Sequence, residues 1–339
     1  MIRAKLVSFT GRGAALAERV AAALPDARCE RYARTVDPSL HGTRLSRFAQ
    51  QAMVDCDLIV FIGATGIAVR AIAPYLAGKA FDPAVLVLDE NGKFVISLIS
   101  GHLGGANALA ERLAGALGAQ PVITTATDGR GVFAVDTWAK AQGCVVYDTP
   151  GIKFVSGALL RNDLVGLASD FPVDGVLPAL VRLNGACEAG FTVGFDVTAQ
   201  PFPHTLHLVP RIVSLGLGCR RGTTRETIER VVFETLRAAG VPMEGVRVAA
   251  SIDRKADEAG LLAFCAAHGL EFVTYPAQTL EAAAGDFTPS AFVQKTVGVD
   301  NVCERAAVCA ADGGRLICRK TARDGVTVAL AIPDWRVRF

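Results

Sequence analysis

Hydrophobic and polar positions in the first third of the chain follow two alternating patterns. Short apolar runs at Lys5–Phe9, Leu58–Ile62 and Phe94–Ile99 predict buried strands. Apolar residues three and four positions apart over Ala14–Leu24 and Ala106–Leu117 predict helices. Strands that alternate with helices in this way are typical of a mostly parallel sheet with helices on its faces, so we predict an α/β fold.

The pattern changes twice along the chain, which indicates three domains. We predict an N-terminal α/β domain with a mostly parallel sheet over residues 1–130, a small α/β middle domain or insertion over 131–209, and an α/β C-terminal domain over 210–339. Asn91-Gly92 and Asp324-Gly325 are dipeptides typical of hairpin turns, so each outer domain is predicted to contain a hairpin.

The C-terminal part repeats the strand–turn–helix pattern of the first domain. A strand over Ile212–Leu217 leads through a Gly-rich turn to Thr223 and Glu226, whose spacing predicts a capping box at a helix start. The segment from Ser251 is predicted to open a further helix, and another helix is predicted over Val299–Ala311.

Three Gly-rich turns carry the candidate chemistry. A helix start presents about four unpaired N–H groups and roughly half a positive charge, which attract anions. The residues concerned are Gly63, Thr65, Gly66 and Arg70 in the first turn, Gly101, His102, Gly104 and Gly105 in the second, and Gly218, Arg220 and Arg221, with the later Lys255, in the third. We predict that the first two turns together bind an anionic group, although ordinary strand-to-helix connections would give the same spacing.

Composition limits the partners that such a site can have. Hydrophobic residues make up 51% of the 339 residues and charged residues 20%, so large cores can be buried. The formal net charge of +2 gives no general attraction to nucleic acid or to anionic membranes, and no charge-free apolar run is long enough to span a bilayer. We therefore expect a local anion site and neither nucleic acid nor membrane as a partner.

Cysteine and histidine usage argues against disulfides and a protein-bound metal. The nine cysteines are scattered and none forms a CxxC pair, so we expect free thiols in a reducing cytoplasm. His204 and His207 are three positions apart in a predicted strand and would point to opposite faces, so we expect no metal site there.

Longer stretches around these turns resemble a known family. Residues 63–114, Gly218–Gly222, Ala250–Lys255 and Phe292–Ala307 are similar to sequences of the cobalt-precorrin-5A hydrolase family (CbiG) of anaerobic cobalamin biosynthesis. The last three stretches look like the C-terminal module of that family. The resemblance extends over nearly the whole chain, and the middle segment is its least distinctive part.

The resemblance implies an enzyme and a reaction. The substrate would be cobalt-precorrin-5A, a ring-contracted corrinoid that carries a δ-lactone. Water opens the lactone, the two-carbon fragment leaves as acetaldehyde, and cobalt-precorrin-5B remains. Cobalt arrives with the substrate, so the resemblance implies no cofactor and no metal site of the protein. A homodimer and contacts with neighbouring pathway enzymes stay open.

Lactone opening requires a base for water and hydrogen-bond donors for the developing oxyanion. We predict His102 as the base, because a helix start favours neutral imidazole, with Asp253 and Glu304 as alternatives. Capping of the helix, or binding of a substrate carboxylate, is the structural alternative for His102. The remaining predicted roles are an oxyanion pocket from the N–H groups of Gly101, Gly104 and Gly105, a hydrogen bond from Thr65, and carboxylate binding by Arg70, Arg220, Arg221 and Lys255.

Two other functions stay open at this point. A non-catalytic corrinoid-binding carrier or scaffold of the same pathway would use the Gly-rich turns only to hold ring carboxylates. A nucleotide-dependent enzyme would explain Gly11 and Gly13, with Glu30 about 20 residues later, as part of a dinucleotide fingerprint. The third glycine position of that fingerprint is Leu16, which argues against it.

Overall fold

A computed structural model describes residues 1–33, 43–78, 81–102, 104–125, 132–290 and 298–339 of the chain. Within these ranges the chain forms two compact units, Met1–Trp138 and Ala139–Phe339. The predicted boundary between the first and middle domains, at residues 130 and 131, lies outside the described residues. The three-domain division therefore stays a prediction.

The first unit alternates strands and helices as the hydrophobic pattern predicts. Its strands are β1 Ile2–Ser8, β2 Ala27–Ala33, β3 Leu58–Ile62, β4 Ala84–Leu88, β5 Phe94–Ile99 and β6 Gln120–Val122. Its helices are α1 Gly11–Ala22, α2 Thr43–Asp55, α3 Thr65–Ile72, α4 Ala106–Leu117 and α5 Val135–Ala141, the last of which continues into the second unit.

One six-stranded sheet in the order β2-β1-β3-β4-β5-β6 organises the first unit. Strands β1 to β4 are parallel, β5 is antiparallel to β4, and β6 is parallel to β5. The hairpin predicted at Asn91-Gly92 is thus confirmed. Strands β3 and β4 are buried on both faces, since α1 and α4 contribute to the core on one face and α2 and α3 to the core on the other.

The second unit contains two larger sheets and one small one. Its strands are β7 Cys144–Val146, β8 Val165–Ser169, β9 Val173–Asp174, β10 Val181–Leu183, β11 Ala189–Val193, β12 His204–Pro210, β13 Val213–Cys219, β14 Val246–Ile252, β15 Glu271–Tyr275, β16 Arg315–Arg323, β17 Val326–Ile332 and β18 Val337–Arg338. Its helices are α6 Ile152–Leu160, α7 Arg225–Ala238, α8 Ala259–Ala267, α9 Ala277–Ala282 and α10 Cys303–Ala310.

Both larger sheets of the second unit are mostly parallel with antiparallel strands at one side. The first has the order β10-β8-β11-β12-β7 with β7 antiparallel to its neighbour. The other has the order β15-β14-β13-β17-β16, in which β13 to β15 are parallel and β16 and β17 form the hairpin predicted at Asp324-Gly325. Strands β9 and β18 pair separately. The α/β fold predicted from the sequence is confirmed.

One predicted helix start in this unit is wrong. The α7 helix is capped by Thr224, whose hydroxyl accepts the N–H of Thr227 at 3.3 Å. The hydroxyl of Thr223 instead donates to the carbonyl of Arg220 at 2.7 Å and closes the Gly-rich turn. The predicted capping box of Thr223 and Glu226 therefore does not form, because a neighbouring threonine takes the cap.

Two other helices begin later than predicted. The helix predicted over Val299–Ala311 begins at Cys303, because the Asn301 side chain accepts the N–H of Glu304 at 2.9 Å and ends the preceding loop. The helix predicted from Ser251 is a short 3-10 turn over Asp253–Lys255 followed by α8.

Candidate functional site

The two Gly-rich turns of the first unit lie at opposite edges of its sheet. The first turn follows β3 at the carboxyl edge of the parallel strands, where Leu88 pairs with Val95. Because β5 is antiparallel to β4, the second turn lies at the other edge, where Val85 pairs with Ile99. A strand of this length spans about 17 Å. The prediction that both turns bind one anionic group together is therefore wrong.

The first turn holds its arginine against its own helix. The N–H of Gly63 donates to the carbonyl of Leu88 at 2.8 Å, and α3 begins at Thr65 without a side-chain cap. The exposed Arg70 guanidinium folds back and donates to the carbonyl of Gly66 at 3.1 Å. These residues share one edge of the sheet, and their role in substrate binding stays a prediction.

The second turn brings His102 against a buried carboxylate. Nδ1 of His102 lies 3.1 Å from Oδ2 of Asp136, which belongs to the first turn of α5. The side chains are 16% and 7% exposed, respectively. An ionised carboxylate only accepts hydrogen bonds, so this contact places a proton on Nδ1, and in the neutral ring the lone pair then lies on Nε2. A histidine in this state can act as a general base.

The electrostatic setting of His102 differs from the prediction. Helix α4 begins at Ala106 with Gly105 as its N-cap, so His102 precedes the first helical turn, and the field of the helix dipole falls off there. The carboxylate of Asp136 is its charged neighbour instead. A negative charge beside the ring stabilises imidazolium, which is the form that a base takes once it has accepted a proton. The local field therefore favours the charged ring, whereas the predicted helix field favours the neutral ring.

Close packing fixes the loop that carries His102. The carbonyl of Ser100 accepts the N–H of Ala106 at 3.1 Å. A Cβ on Gly104 would overlap the side chain of Ser100, and Gly105 has a φ of +82°, which side chains rarely adopt. Both positions therefore require glycine for the geometry of the loop, whatever further role they have.

The predicted oxyanion pocket becomes smaller in the structure. The N–H of Gly105 donates to the carbonyl of His102 at 2.9 Å, so it stays inside the loop. Within the described parts of the chain, neither Gly101 nor Gly104 donates its N–H to another residue. The predicted pocket therefore consists of these two donors.

A line of polar side chains supports the loop. The hydroxyl of Ser97 on β5 donates to Oδ1 of Asn107 at 2.6 Å, and Nδ2 of Asn107 donates to the hydroxyl of Thr125 at 3.1 Å. Asn107 is buried, and a Cβ on Gly101 would collide with its amide. Because buried polar groups need partners, this line fixes the start of α4 against the sheet.

Glu258 organises the third turn. Its buried carboxylate accepts the N–H of Gly222 at 2.7 Å and a hydrogen bond from Nζ of Lys255 at 2.8 Å. The hydrogen bond from the lysine is the largest effect, and it lowers the pKa of Glu258 below its ordinary value. Lys255, which we predicted to bind a substrate carboxylate, thus has a carboxylate partner within the protein.

The arginines of the third turn are exposed. Arg221 forms a loose ion pair with Asp257 at 3.6 Å, in which both side chains are 72% exposed. The N–H of Arg220 donates to the carbonyl of Gly325 at 2.9 Å, and its side chain lies over that glycine. Gly218 is the second-last residue of β13 and is half-buried. Their binding of substrate stays a prediction.

The two alternative bases have partners within the protein. Asp253 is exposed and accepts the N–H of Arg254 at 2.7 Å. Glu304 is fully buried and accepts the N–H and hydroxyl of Thr288 at 2.7 and 2.9 Å and the N–H of Lys320 at 2.7 Å. These bonds join three segments of the second unit, so the contacts of Glu304 are structural. The geometry favours the histidine as the base.

Asp136 is the site residue that sequence reasoning missed. It lies 34 positions after His102, beyond the end of α4. Its only local signal is an acidic residue in the first turn of a helix, which is common for electrostatic reasons alone. The pairing depends on a long-range contact that no spacing rule indicates.

The described residues include free cysteines but neither a cluster of metal ligands nor a helix that could span a membrane. All nine cysteines are free, and burial raises the pKa of Cys144 to about 12 and that of Cys265 and Cys303 to about 11, so these three are poor nucleophiles. Within the described ranges no group of three or more side chains is arranged to hold a metal ion. In the same ranges no helix has the length and apolar character to span a membrane.

Two family descriptions match the chain, one in each of its α/β units. The family description "Cobalamin synthesis G N-terminal" matches residues 47–128, which include the loop of His102. "Cobalamin synthesis G C-terminus" matches residues 213–331, which include the third Gly-rich turn.

Full-length relatives are similar over most of the chain. The cobalt-precorrin-5A hydrolase of Salmonella typhimurium is 36% identical over 96% of this chain and 97% of its own length. That of Priestia megaterium is 32% identical over 81% of this chain and 78% of its own length. A solved structure of a cobalamin biosynthesis protein G homolog from Sulfolobus solfataricus aligns with a TM-score of 0.43 and 20% identity over 97% of this chain and 96% of that one. The chain belongs to the CbiG family, which confirms the resemblance seen in the sequence.

Proposed function

We propose that this chain opens the δ-lactone of cobalt-precorrin-5A and releases acetaldehyde to give cobalt-precorrin-5B. Family membership carries a hydrolase role in cobalamin biosynthesis, and the corrinoid is the substrate that this role implies. The observation that supports the chemistry is the pair of His102, whose loop lies in the family-matched segment 47–128, and Asp136, which lies beyond the end of that segment.

His102 acts first on water in this proposal. Nε2 takes a proton from a water molecule whose oxygen attacks the lactone carbonyl carbon, while Asp136 accepts the hydrogen bond from Nδ1–H and stabilises the imidazolium. The N–H groups of Gly101 and Gly104 donate to the oxygen on which negative charge develops. The bond between that carbon and the ring oxygen of the lactone then breaks, and the imidazolium returns its proton to the departing oxygen. The carboxylic acid that forms loses its proton to solvent, which leaves a carboxylate, an alcohol and a neutral His102.

The second step breaks a carbon–carbon bond. The new hydroxyl group loses its proton to the same base, its oxygen forms the carbonyl of acetaldehyde, and the bond to the macrocycle breaks. The electron pair of that bond passes to the conjugated ring, so no oxidant or reductant is consumed. Cobalt enters and leaves with the substrate, and the proposal requires no resident cofactor.

The proposal also covers the residues that bind the substrate carboxylates and the cell compartment in which the reaction occurs. We assign Arg220 and Arg221 to substrate carboxylates, because guanidinium groups pair with carboxylates in two-pronged geometry. Thr65 and Arg70 lie at the edge of the sheet opposite to His102, so the proposal gives them no contact with the same substrate. We place the reaction in the cytoplasm, where the nine free thiols stay reduced.

Replacement of His102 by glutamine tests the proposal. His102→Gln keeps a polar side chain but removes the base, so acetaldehyde release should fall about 100- to 10,000-fold, the usual contribution of a general base. His268→Gln is a matched control, because His268 also lies against a carboxylate, with Nε2 3.0 Å from Glu229 Oε1. Turnover in the control should stay near that of the wild type.

Two outcomes would contradict the proposal in different ways. Near-normal turnover in His102→Gln would exclude the histidine as base and redirect the search to Asp253 and Glu304. Tight binding of cobalt-precorrin-5A by the wild type without any acetaldehyde would support the non-catalytic carrier instead.

A further inference from the structure

One large aromatic side chain near the catalytic loop lies almost entirely in solvent. Phe81 is 81% exposed, whereas core phenylalanines such as Phe61 are 1% exposed. It belongs to the connection between α3 and β4, which also exposes 48% of Leu76. Single exposed apolar residues are common, so exposure alone does not indicate a function.

Hydrogen bonds join Phe81 and Asp82 to Ala77 and Gly78. The carboxylate of Asp82 accepts the N–H of Ala77 at 2.8 Å and that of Gly78 at 3.2 Å. The N–H of Phe81 itself donates to the carbonyl of Gly78 at 2.9 Å. These hydrogen bonds hold the backbone of Phe81 at one place on the surface.

The same segment is bonded to the loop of His102. The hydroxyl of Ser100 donates to the carbonyl of Asp82 at 2.9 Å, and Ser100 has the positive φ of +58° that starts the tight loop. Ser100 is two positions before His102, and Asp82 directly follows Phe81. Both segments lie at the edge of the sheet where β4 begins and β5 ends. Phe81 thus belongs to a segment that is hydrogen-bonded to the loop of His102.

We propose that Phe81 is a substrate-binding residue that packs against the conjugated face of the corrinoid macrocycle. The inference rests on the proposed function, because it takes the corrinoid as the ligand of the His102 loop. A conjugated macrocycle has an extended apolar face, and an aromatic side chain has only two torsions to order when it covers such a face. The contact orients the ring system so that the lactone at its rim reaches His102.

Steady-state kinetics provide the first test. Phe81→Ala should raise KM for cobalt-precorrin-5A about tenfold or more, the effect expected for an aromatic anchor, and change kcat less than about threefold. Phe81→Tyr should restore KM, since it keeps the ring. Phe94→Ala is the matched control, because Phe94 is a 44% exposed phenylalanine at the start of β5, at the opposite edge of the same sheet. Its KM should not change.

A binding measurement separates this inference from the proposed function. In a His102→Gln background, tryptophan placed at position 81 should be quenched by added cobalt-precorrin-5A, and tryptophan placed at position 94 should not. Equal quenching at both positions, or an unchanged KM in Phe81→Ala with normal acetaldehyde release, would overturn the role of Phe81 and leave the hydrolase intact. Failure of the wild type to bind the corrinoid or to release acetaldehyde would instead overturn the proposed function.

Self-association is the other use of an exposed ring. Size-exclusion chromatography of the wild type and Phe81→Ala measures it directly. A dimer that dissociates in the variant, together with an unchanged KM, would assign Phe81 to an interface between two copies and overturn the proposal.

Discussion

At the scale of single residues, the chain contains more than one histidine–carboxylate pair, and their surroundings separate them. His207 lies 3.1 Å from Asp148 through Nδ1, but its Nε2 also contacts the carbonyl of Ala199 at 2.8 Å and the ring is buried. Both of its nitrogens are therefore engaged in holding the fold. His102 has the same Nδ1–carboxylate distance, but 16% of its side chain is exposed, against 4% for His207.

Replacement of Asp136 by asparagine tests the orientation of His102. An asparagine amide can donate to Nδ1, which would place the imidazole proton on Nε2 and remove the lone pair from the reacting side. We expect turnover to fall at least about 100-fold, with a changed dependence of kcat on pH, while KM changes little. Acetaldehyde release measured across pH checks this.

The matched control is Asp148→Asn, which alters the other pair with the same distance. It should lower the melting temperature without a change in turnover per folded enzyme. Full activity and an unaltered pH profile in Asp136→Asn would show that the aspartate only supports the fold.

At the scale of elements, the loop before α4 and the helix itself respond in opposite ways to the same substitution. Gly104→Ala introduces a Cβ that overlaps Ser100, so it should destabilise the unit by about 1–3 kcal/mol and displace the catalytic loop. Gly115→Ala lies within α4 with nothing near its new Cβ, so it should stabilise by about 0.5–1 kcal/mol. Chemical denaturation of both variants, with turnover assays, measures the difference. Equal stability changes would contradict the packing of the loop.

Elements that depend on local pattern were predicted closely from the sequence. The strands Leu58–Ile62 and Phe94–Ile99 and the helix Ala106–Leu117 have the bounds that their apolar spacing predicts. The cap of α7 was misplaced by one residue, because adjacent threonines offer equivalent hydroxyl groups and only the backbone geometry selects one of them.

Features that depend on contacts distant in sequence were not predictable in this way. The pairing of His102 with Asp136 and the bonding of the Phe81 turn to Ser100 both join segments separated by a strand or a helix. The Gly-rich turns were correctly located along the chain, but the edge at which each lies depends on strand direction, which apolar spacing does not encode.

At the scale of the whole molecule, acid stability should reflect buried carboxylates more than surface ion pairs. The pKa of Glu258 is lowered in the folded protein, chiefly by Lys255, so its charged form stabilises the fold at neutral pH. That contribution is complete above the ordinary pKa of the carboxyl group and is lost as pH falls through the lowered one.

Glu258→Gln should therefore reduce the free energy of unfolding by about 1–3 kcal/mol at pH 7 and by less at acid pH, because the deficit shrinks as pH falls through the lowered pKa of the wild-type carboxyl. Thermal unfolding across this range measures it. The adjacent Asp257→Asn removes only an exposed pair with Arg221 and should change stability by less than about 0.5 kcal/mol at either pH. A deficit in Glu258→Gln that is constant with pH would contradict the charge-based explanation.

The hairpin at Asn91-Gly92 has a consequence for how such chains are interpreted. Each helix crossover preserves the direction of the next strand, whereas each hairpin inverts it. Two strand–helix turns therefore lie at the same edge of the sheet when an even number of hairpins separates them, and at opposite edges when the number is odd. One hairpin separates Gly63 from Gly101, an odd count, and they face opposite ways. An insertion that added a second hairpin would restore an even count and bring the following turn to the edge of Gly63.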